Sequence, residues 1–234
     1  MKNRRRSEWL KKYFSFVMLP IQAGPLKGKK WILTSGNNFW LGRYETQKTA
    51  AIEPLIREND VVFDVGAHIG YYTVLFSSKV GPTGKVFAFE PRQINLFLLK
   101  KHLRTNRCHN VEILETCLGD EIGQVNFNTN IGTGTGHVSP RGNVSVPMTT
   151  MDELVFNGTL PKPDLTKIDV EGSEMRVFQG AVKVIETCRP RIVIATHSDT
   201  LDAQCRAFLT GYGYQLTDIQ QPKGDKEMIA LPPG

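Results

Sequence analysis

Five side chains able to bind cations or move protons stand at the ends of apolar runs: Asp64, Glu90, Asp169, Glu171 and His197. Asp64 and Glu90 close Val61-Val62-Phe63 and Phe87-Ala88-Phe89, Asp169 and Glu171 follow Leu165 to Ile168, and His197 follows Ile192 to Thr196. A carboxylate in such a place accepts both hydroxyl protons of a ribose, the role of acidic residues after a second Rossmann strand, and this is the use expected of Glu90. An imidazole titrates near neutrality and serves as acid or base. His197 and Asp169 are therefore the candidate bases. Glu171 is expected either to orient a substrate or to cap the helix that follows.

The stretch Val61 to Gly70, VVFDVGAHIG, passes from an apolar run into a turn bracketed by Gly66 and Gly70, and Tyr71 to Ser78 continue at helical spacing. Strand-to-helix turns of this kind hold nucleotides. A dinucleotide turn spaces its glycines G-x-G-x-x-G and offers free helix amides to a pyrophosphate. Here Asp64 takes the first glycine's place. Its charge opposes a phosphate pair and suits a ligand with a cationic sulfur and an ammonium, as in S-adenosylmethionine. Leu118 and its neighbours are then expected to flank the adenine.

The elements that must position these groups alternate. Strands are expected over 85–89, 111–114, 165–169 and 191–196, with helices over 46–57, 94–104 and 174–186. Such βαβ alternation predicts an α/β fold: a doubly wound, mostly parallel, Rossmann-like sheet of seven strands with an antiparallel edge strand, binding its ligands at the C-terminal strand ends. The edge pair is expected from 213–217 and 228–231, around Pro222 to Asp225. Residues 121–150 read as a hairpin-like excursion with a mobile Gly/Thr-rich tip at 131–136.

The 234 residues, 40% of them hydrophobic, suffice for one sizeable core. The net charge of +6 is uneven: residues 1–30 carry nine Lys or Arg against Glu8, which leaves 20 basic and 22 acidic residues for the rest. The basic character is confined to an N-terminal arm, and the net charge of −2 on the rest of the chain argues against nucleic acid as partner. Residues 1–40 are read as this arm, a helix plus a strand, and 41–234 as the main domain. If 1–24 are helical, Trp9, Tyr13, Phe16 and Val17 share a face, fit either to cover one end of the core or to lie peripherally on a membrane. Four separated cysteines, Cys108, Cys117, Cys188 and Cys205, and the lack of a ~20-residue apolar span fit a cytoplasmic protein with reduced thiols.

Further pieces complete a pattern: Gly42-Arg43-Tyr44-Glu45, Asp64 to Thr73, Phe89-Glu90-Pro91, Asn106, Leu118-Gly119-Asp120, Met151-Asp152-Glu153-Leu154 and Lys167 to Glu174. Their order resembles the class I S-adenosylmethionine-dependent methyltransferases and, among them, the FkbM family, over roughly residues 40–217. The resemblance implies S-adenosylmethionine as cofactor and O-methylation of a hydroxyl on a small molecule, sugar or glycan. It assigns cofactor binding to Glu45, Asp64, Gly66, Ala67, His68, Gly70, Tyr71, Glu90, Pro91, Cys117, Leu118, Gly119 and Asp169, and catalysis to Asp169, His197 and Glu171. His68 departs from the Asn expected at its position, which makes it the suspected source of pH-dependent cofactor affinity. Asp169, Glu171 and His197 have donors that suit a divalent cation, but their spacing matches no recognised ligand motif, and no metal is expected. RNA methylation, prompted by the basic arm, and a noncatalytic cofactor-binding scaffold are the competing readings. A dehydrogenase is opposed by Asp64 and the glycine spacing.

Overall fold

The computed structural model describes residues 17–129, 136–220 and 226–234. The apolar arm residues Trp9, Tyr13 and Phe16, the Gly/Thr tip at 131–135 and the turn around Pro222 to Asp225 lie outside the described residues. The described chain begins with the paired strands β1 (Met18–Pro20) and β2 (Lys30–Ile32), then short helix α1 (Asn37–Trp40) and α2 (Thr46–Ile52). There follow β3 (Val61–Val65), α3 (Tyr71–Lys79), β4 (Lys85–Phe89), α4 (Gln93–Thr105) and β5 (Val111–Leu114). The excursion supplies β6 (Cys117–Leu118), β7 (Gly123–Asn128), β8 (His137–Val138) and β9 (Val144–Thr149). The second half runs α5 (Met151–Phe156), β10 (Leu165–Ile168), α6 (Glu174–Gln179), α7 (Val182–Thr187), β11 (Arg191–Thr196), α8 (Asp199–Gly211), β12 (Gln215–Ile219) and β13 (Lys226–Leu231).

The central sheet has seven strands in the order β12-β13-β11-β10-β3-β4-β5. It is the mostly parallel sheet expected from the alternation. Its antiparallel member, β13, is one place in from the edge, between β11 and β12, and the edge strand β12 runs parallel to the rest. The order reverses between β3 and β10, and the crevice at their C-terminal ends is where an open α/β sheet takes a ligand.

Alternation along each strand divides the interior. Val62, Leu165 and Val193 join a core with Val74, Leu75, Phe76 and Leu99, while Phe63, Val65, Ile168, Ile192 and Ile194 join one with Val177, Phe178 and Leu209. Each such side chain, fully buried, contributes roughly 1.5–3 kcal/mol. The described part of the arm belongs to the first core: Ile21, Leu26, Trp31, Ile32 and Phe39 are all buried in it. Met18 to Pro20 form a strand, so the helix expected to continue through Val17 does not.

Two helices differ from their expected lengths. The one expected over 46–57 ends as α-helix at Ile52 and finishes as a 3-10 turn containing Pro54, whose ring clashes with a continuing helical backbone. The one expected over 174–186 breaks into α6 and α7 at Gly180, where a Cβ would lie 1.8 Å from the Gly119 carbonyl oxygen. At that break the Asp152 carboxylate accepts from the backbone N–H groups of Lys183 and Val184, capping α7 from outside the helix. The excursion is a separate four-stranded sheet, β6-β9-β7-β8, with its own small core of Val125, Phe127, Val146 and Met148. No described helix is long and apolar enough to cross a membrane. All four cysteines are free thiols.

Candidate active site

The turn after β3 is set by backbone contacts that only particular residues allow. Gly66 has φ +81°, and a Cβ on it would meet the Asp169 carbonyl oxygen at 1.9 Å, so glycine is what lets β3 and β10 end side by side. The N–H groups of Gly66 and Ala67 both donate to the Phe89 carbonyl, at 3.1 and 3.0 Å, which ties the turn to β4. His102 of α4, fully buried and stacked on Trp31 of β2 (3.7 Å between centroids), joins the turn to the arm. Its Nε2 accepts from the Ile32 N–H at 3.1 Å, so the proton is on Nδ1 and is donated to the Ile69 carbonyl at 2.8 Å. Burial holds it neutral, with the pKa lowered to about 4.

Beyond this turn opens a cleft of ≈ 1230 Å³, counted out to its mouth. At one end is Glu90, almost completely buried, whose carboxylate accepts from the N–H of His68 (2.9 Å), the N–H of Arg92 (2.9 Å) and the Asn95 amide (3.2 Å). A carboxylate has about four acceptor sites, so capacity remains for a ligand hydroxyl. Burial outweighs these donors and raises the Glu90 pKa to about 7. Val65, Ala67, Pro91, Cys117 and Leu118 form the walls between Glu90 and the centre.

At the other end, carboxylates and ammonium groups interlock. Lys48 of α2, 1% exposed, places Nζ 2.7 Å from Glu227 of β13, 3.1 Å from Asp169 and 3.4 Å from Glu45. Burial works against its charge, but Asp169, Glu45 and Glu227 more than offset it and raise its pKa. Lys167 of β10, also buried, lies 3.5 Å from both Asp64 and Asp169, and each ammonium is 5.4 Å from the centroid of the Tyr72 ring. Asp169 is partly desolvated, yet Lys48, Lys167 and His197 hold its carboxyl well below the usual range. Tyr72 donates its hydroxyl to Glu45 at 2.8 Å.

His197 sits above Asp169 at the end of β11. Its Nδ1–H donates to Glu174, a carboxylate with no exposure, at 2.8 Å, and Nε2 faces Asp169 Oδ1 at 3.7 Å and Glu171 Oε2 at 3.4 Å. Burial disfavours the imidazolium, but Glu174, then Asp169 and Glu171, prevail and raise the pKa to about 9. His197 is thus protonated at neutral pH, and the base role expected of it from sequence does not fit that state.

The structure brings Glu45, Gly66, Ala67, His68, Tyr71, Glu90, Pro91, Cys117, Leu118, Asp169, Glu171 and His197 onto one wall system. It leaves Asp64, Gly70 and Gly119 off it. Asp64 pairs in register with Lys167, a cleft residue whose ammonium 3.5 Å away covers the carboxylate. There, with no exposure, it accepts from the Thr73 hydroxyl at 2.6 Å and lies beneath Lys167. The expectation that Asp64 meets a cationic ligand directly is corrected: it anchors α3 and balances a buried lysine. Gly70, with φ +93°, is needed because a Cβ would strike Leu99 at 2.4 Å. Sequence reasoning did not single out Lys48, Lys167, Tyr72, Asn95, Glu174 or Glu227 for the site. Tyr72, Lys167 and Glu174 lay inside the pieces of the family pattern without a site role, Lys167 also standing out as a charge inside an apolar strand, while Lys48, Asn95 and Glu227 carried no signal.

An acidic side chain behind the second strand of the switch point, glycine-bracketed turn and polar cluster together define a doubly wound α/β protein built to hold a nucleoside. The family model of the FkbM methyltransferase domain matches residues 64–216, and the chain belongs to that family. Among curated proteins, the hexuronic acid methyltransferase AglP of Haloferax volcanii is 33% identical over 133 residues, 56% of this chain and 53% of that protein. The chain therefore spans about half the length of this relative. Among solved structures, the methyltransferase FkbM of Methylobacillus flagellatus aligns over 96% of this chain and 52% of its own, at 19% identity and a TM-score of 0.57. The fibrillarin of Aeropyrum pernix, solved with natively bound S-adenosyl-L-methionine, aligns over 76% of this chain and 68% of its own, at 14% identity and a TM-score of 0.51.

Proposed function

We propose that the protein is an S-adenosylmethionine-dependent methyltransferase that O-methylates a hydroxyl of a sugar of the hexuronic acid class, free or within a glycan. The observation that carries this reading is a single cleft with the Glu90 carboxylate at one end and Asp169, Glu171 and His197 at the other. The sugar class rests on the likeness to the hexuronic acid methyltransferase. S-adenosylmethionine fits the residues present: Glu90 has acceptor capacity for ribose hydroxyls, Cys117 and Leu118 offer an apolar flank for adenine, and Glu45 and Asp169 are carboxylates for an ammonium. When bound, it supplies a methyl group on a cationic sulfur that departs with the carbon–sulfur electron pair as the acceptor oxygen attaches.

The chain's own residues then bind and orient. Alignment of oxygen and methyl carbon is the main source of acceleration in such a displacement, with a ceiling of about 7–11 kcal/mol. Asp169, pinned by Lys48 and Lys167, is a fixed wall of the reaction site rather than a swinging side chain. The imidazolium of His197, held by Glu174, donates from Nε2 toward an acceptor oxygen and orients it. Glu171, 3.4 Å from His197 Nε2, is the carboxylate to which the hydroxyl proton can pass, since Asp169 is held ionised by Lys48 and Lys167.

The test is to incubate the protein with methyl-labelled cofactor and an oligosaccharide ending in glucuronic acid, and to locate the product's O-methyl group by NMR. Label on a sugar hydroxyl is expected. Binding of S-adenosylhomocysteine by calorimetry without transfer to any uronic acid acceptor would overturn the acceptor class, and absence of that binding would overturn the cofactor.

A further inference from the structure

We propose that the outer face of the Tyr44 ring is the acceptor subsite, a platform on which the pyranose ring of the sugar lies flat; this rests on the methyltransferase reading and says what holds its acceptor. Tyr44 is half-buried in the loop between α1 and α2 and lines the cleft. Burial, then the carboxylates of Glu45 and Asp169, raise the pKa of its phenol well above the ordinary value, which places the ring beside both acids. Glu45 is 3.4 Å from Lys48 and Lys48 is 3.1 Å from Asp169, so Tyr44 stands at the reaction end of the cleft, away from Glu90.

One face of the ring is taken by the protein and the other is not. Phe39 of α1 stacks on Tyr44 with 4.0 Å between centroids and 22° between planes. Tyr71 is 4.9 Å from Tyr44 and 5.9 Å from Phe39, so seen from Tyr44 it lies at about a right angle to Phe39, beside the ring's edge. Among the described residues, no aromatic ring covers the far face. Trp31 stacks on Phe39 at 5.5 Å and His102 on Trp31 at 3.7 Å, which makes Tyr44 the last ring of a four-ring column rooted in the core. The backbone is shaped to hold it there. Gly42 and Glu45 have φ +72° and +40°, and a Cβ on Gly42 would meet the Ala23 carbonyl oxygen at 2.2 Å. A left-handed glutamate costs energy and persists only where its surroundings over-determine it, typically at ligand sites. The N–H groups of Gly42 and Arg43 donate to the carbonyls of Phe39 (3.0 Å) and Asn38 (2.8 Å), which pins the loop to α1.

A pyranose carries hydroxyls around its rim and C–H groups on its faces. An aromatic face is the negative part of the ring's quadrupole and attracts polarised C–H groups. The reaction end of the cleft supplies both kinds of partner: charged side chains such as Glu171 and His197 for the rim, and the Tyr44 ring for the face. Val170 is the aliphatic side chain there, too small to match a six-membered ring. Stacking fixes the plane of the sugar and with it the direction of its hydroxyls, the alignment on which a displacement depends. A flexible open-chain alcohol gains nothing from such a surface, so the subsite selects cyclic acceptors.

The experiment adds methyl glucuronide to the full chain, with and without S-adenosylhomocysteine, and reads saturation-transfer NMR from the protein's aromatic protons. Transfer is expected on the sugar's ring C–H protons and should fall when the tyrosines are deuterated. The glucuronide dissociation constant should rise about 10-fold in Tyr44→Leu and stay within about 2-fold of wild type in Tyr44→Phe, which keeps the face, with folding checked by circular dichroism. S-adenosylhomocysteine and S-adenosylmethionine affinities should be the same in all three proteins. Glucuronide affinity unchanged in folded Tyr44→Leu, or transfer absent or indifferent to tyrosine deuteration in wild type, would overturn the subsite and leave the methyltransferase reading standing. Loss of S-adenosylmethionine affinity in Tyr44→Leu would also overturn it, because the ring would then face the cationic sulfur. Failure of S-adenosylhomocysteine to bind, or glucuronide seated on Tyr44 without methyl transfer, would instead strike the methyltransferase reading, while saturation transfer without the cofactor product still decides the subsite.

Discussion

Replacing Lys48 by Met removes a buried ammonium and leaves its three carboxylate partners without it, a perturbation the structure makes large. At an effective dielectric of 20, contacts of 2.7, 3.1 and 3.4 Å amount to roughly 5–6 kcal/mol each before solvation is counted. Desolvation cancels most of this, and breaking a buried pair by deleting one partner costs about 3–5 kcal/mol net. For a chain of this size each kcal/mol moves Tm by about 2–4 °C, so Lys48→Met should lower Tm by roughly 6–20 °C in a calorimetric scan. Glu227, 6% exposed at its side chain, is the most buried partner. Adding Glu227→Gln should therefore restore part of the loss, at least about 1 kcal/mol in a double-mutant cycle. The pH dependence has a definite sign. The Lys48 pKa is raised on folding, so its contribution is complete below about pH 10.4 and lost only above that; Asp169 is depressed, so its part is complete above about pH 4 and lost below. The gap between wild type and variant should be level from about pH 6 to 9 and shrink below about pH 4. A Tm drop under about 3 °C, or no rescue by Glu227→Gln, would refute the idea that Lys48 locks the site.

Glu90 is raised to about 7 by burial, so the folded protein loses roughly 3 kcal/mol from this group as pH climbs from about 4.5 to 7. Denaturant titrations of Glu90→Gln should lack that fall, and its S-adenosylhomocysteine affinity, which in wild type should strengthen from pH 6 to 8 as the acceptor ionises, should be weaker and level with pH. His197, raised to about 9, contributes roughly 3 kcal/mol below pH 6.5 that disappears as pH rises through 9, so the stability gap to His197→Gln should close across that window. His68 holds φ +52°, a conformation Asn adopts more readily, so His68→Asn should match or slightly exceed wild-type Tm; a loss above about 1 kcal/mol would show that the imidazole itself is needed. Gly66→Ala, meeting a backbone oxygen at 1.9 Å, should yield little folded protein by circular dichroism.

The sequence alone determined the sheet's alternation, the turn at Gly66 to Gly70, and which carboxylates stand at strand ends, because period-2 apolar runs and glycine punctuation are local properties of the backbone. Glu90, Asp169, Glu171 and His197 were legible for that reason. Tertiary structure decided which way a side chain faces and what it meets there. Asp64 and Val65 are neighbours in sequence, but the pleat puts one under Lys167 and the other on the cleft wall. Lys48 has no marking in its helix. It matters because β13, about 180 residues later, brings Glu227 within 2.7 Å of it. The break at Gly180 likewise arises from the approach of Gly119, which helical periodicity does not register. The ionisation of His197 was decided in the same way: an isolated imidazole titrates near neutrality, and only the convergence of Glu174, Asp169 and Glu171 from a loop and a helix keeps it charged. Long-range electrostatics and packing depend on distances between segments far apart in the chain, and those distances exist only once the sheet has formed.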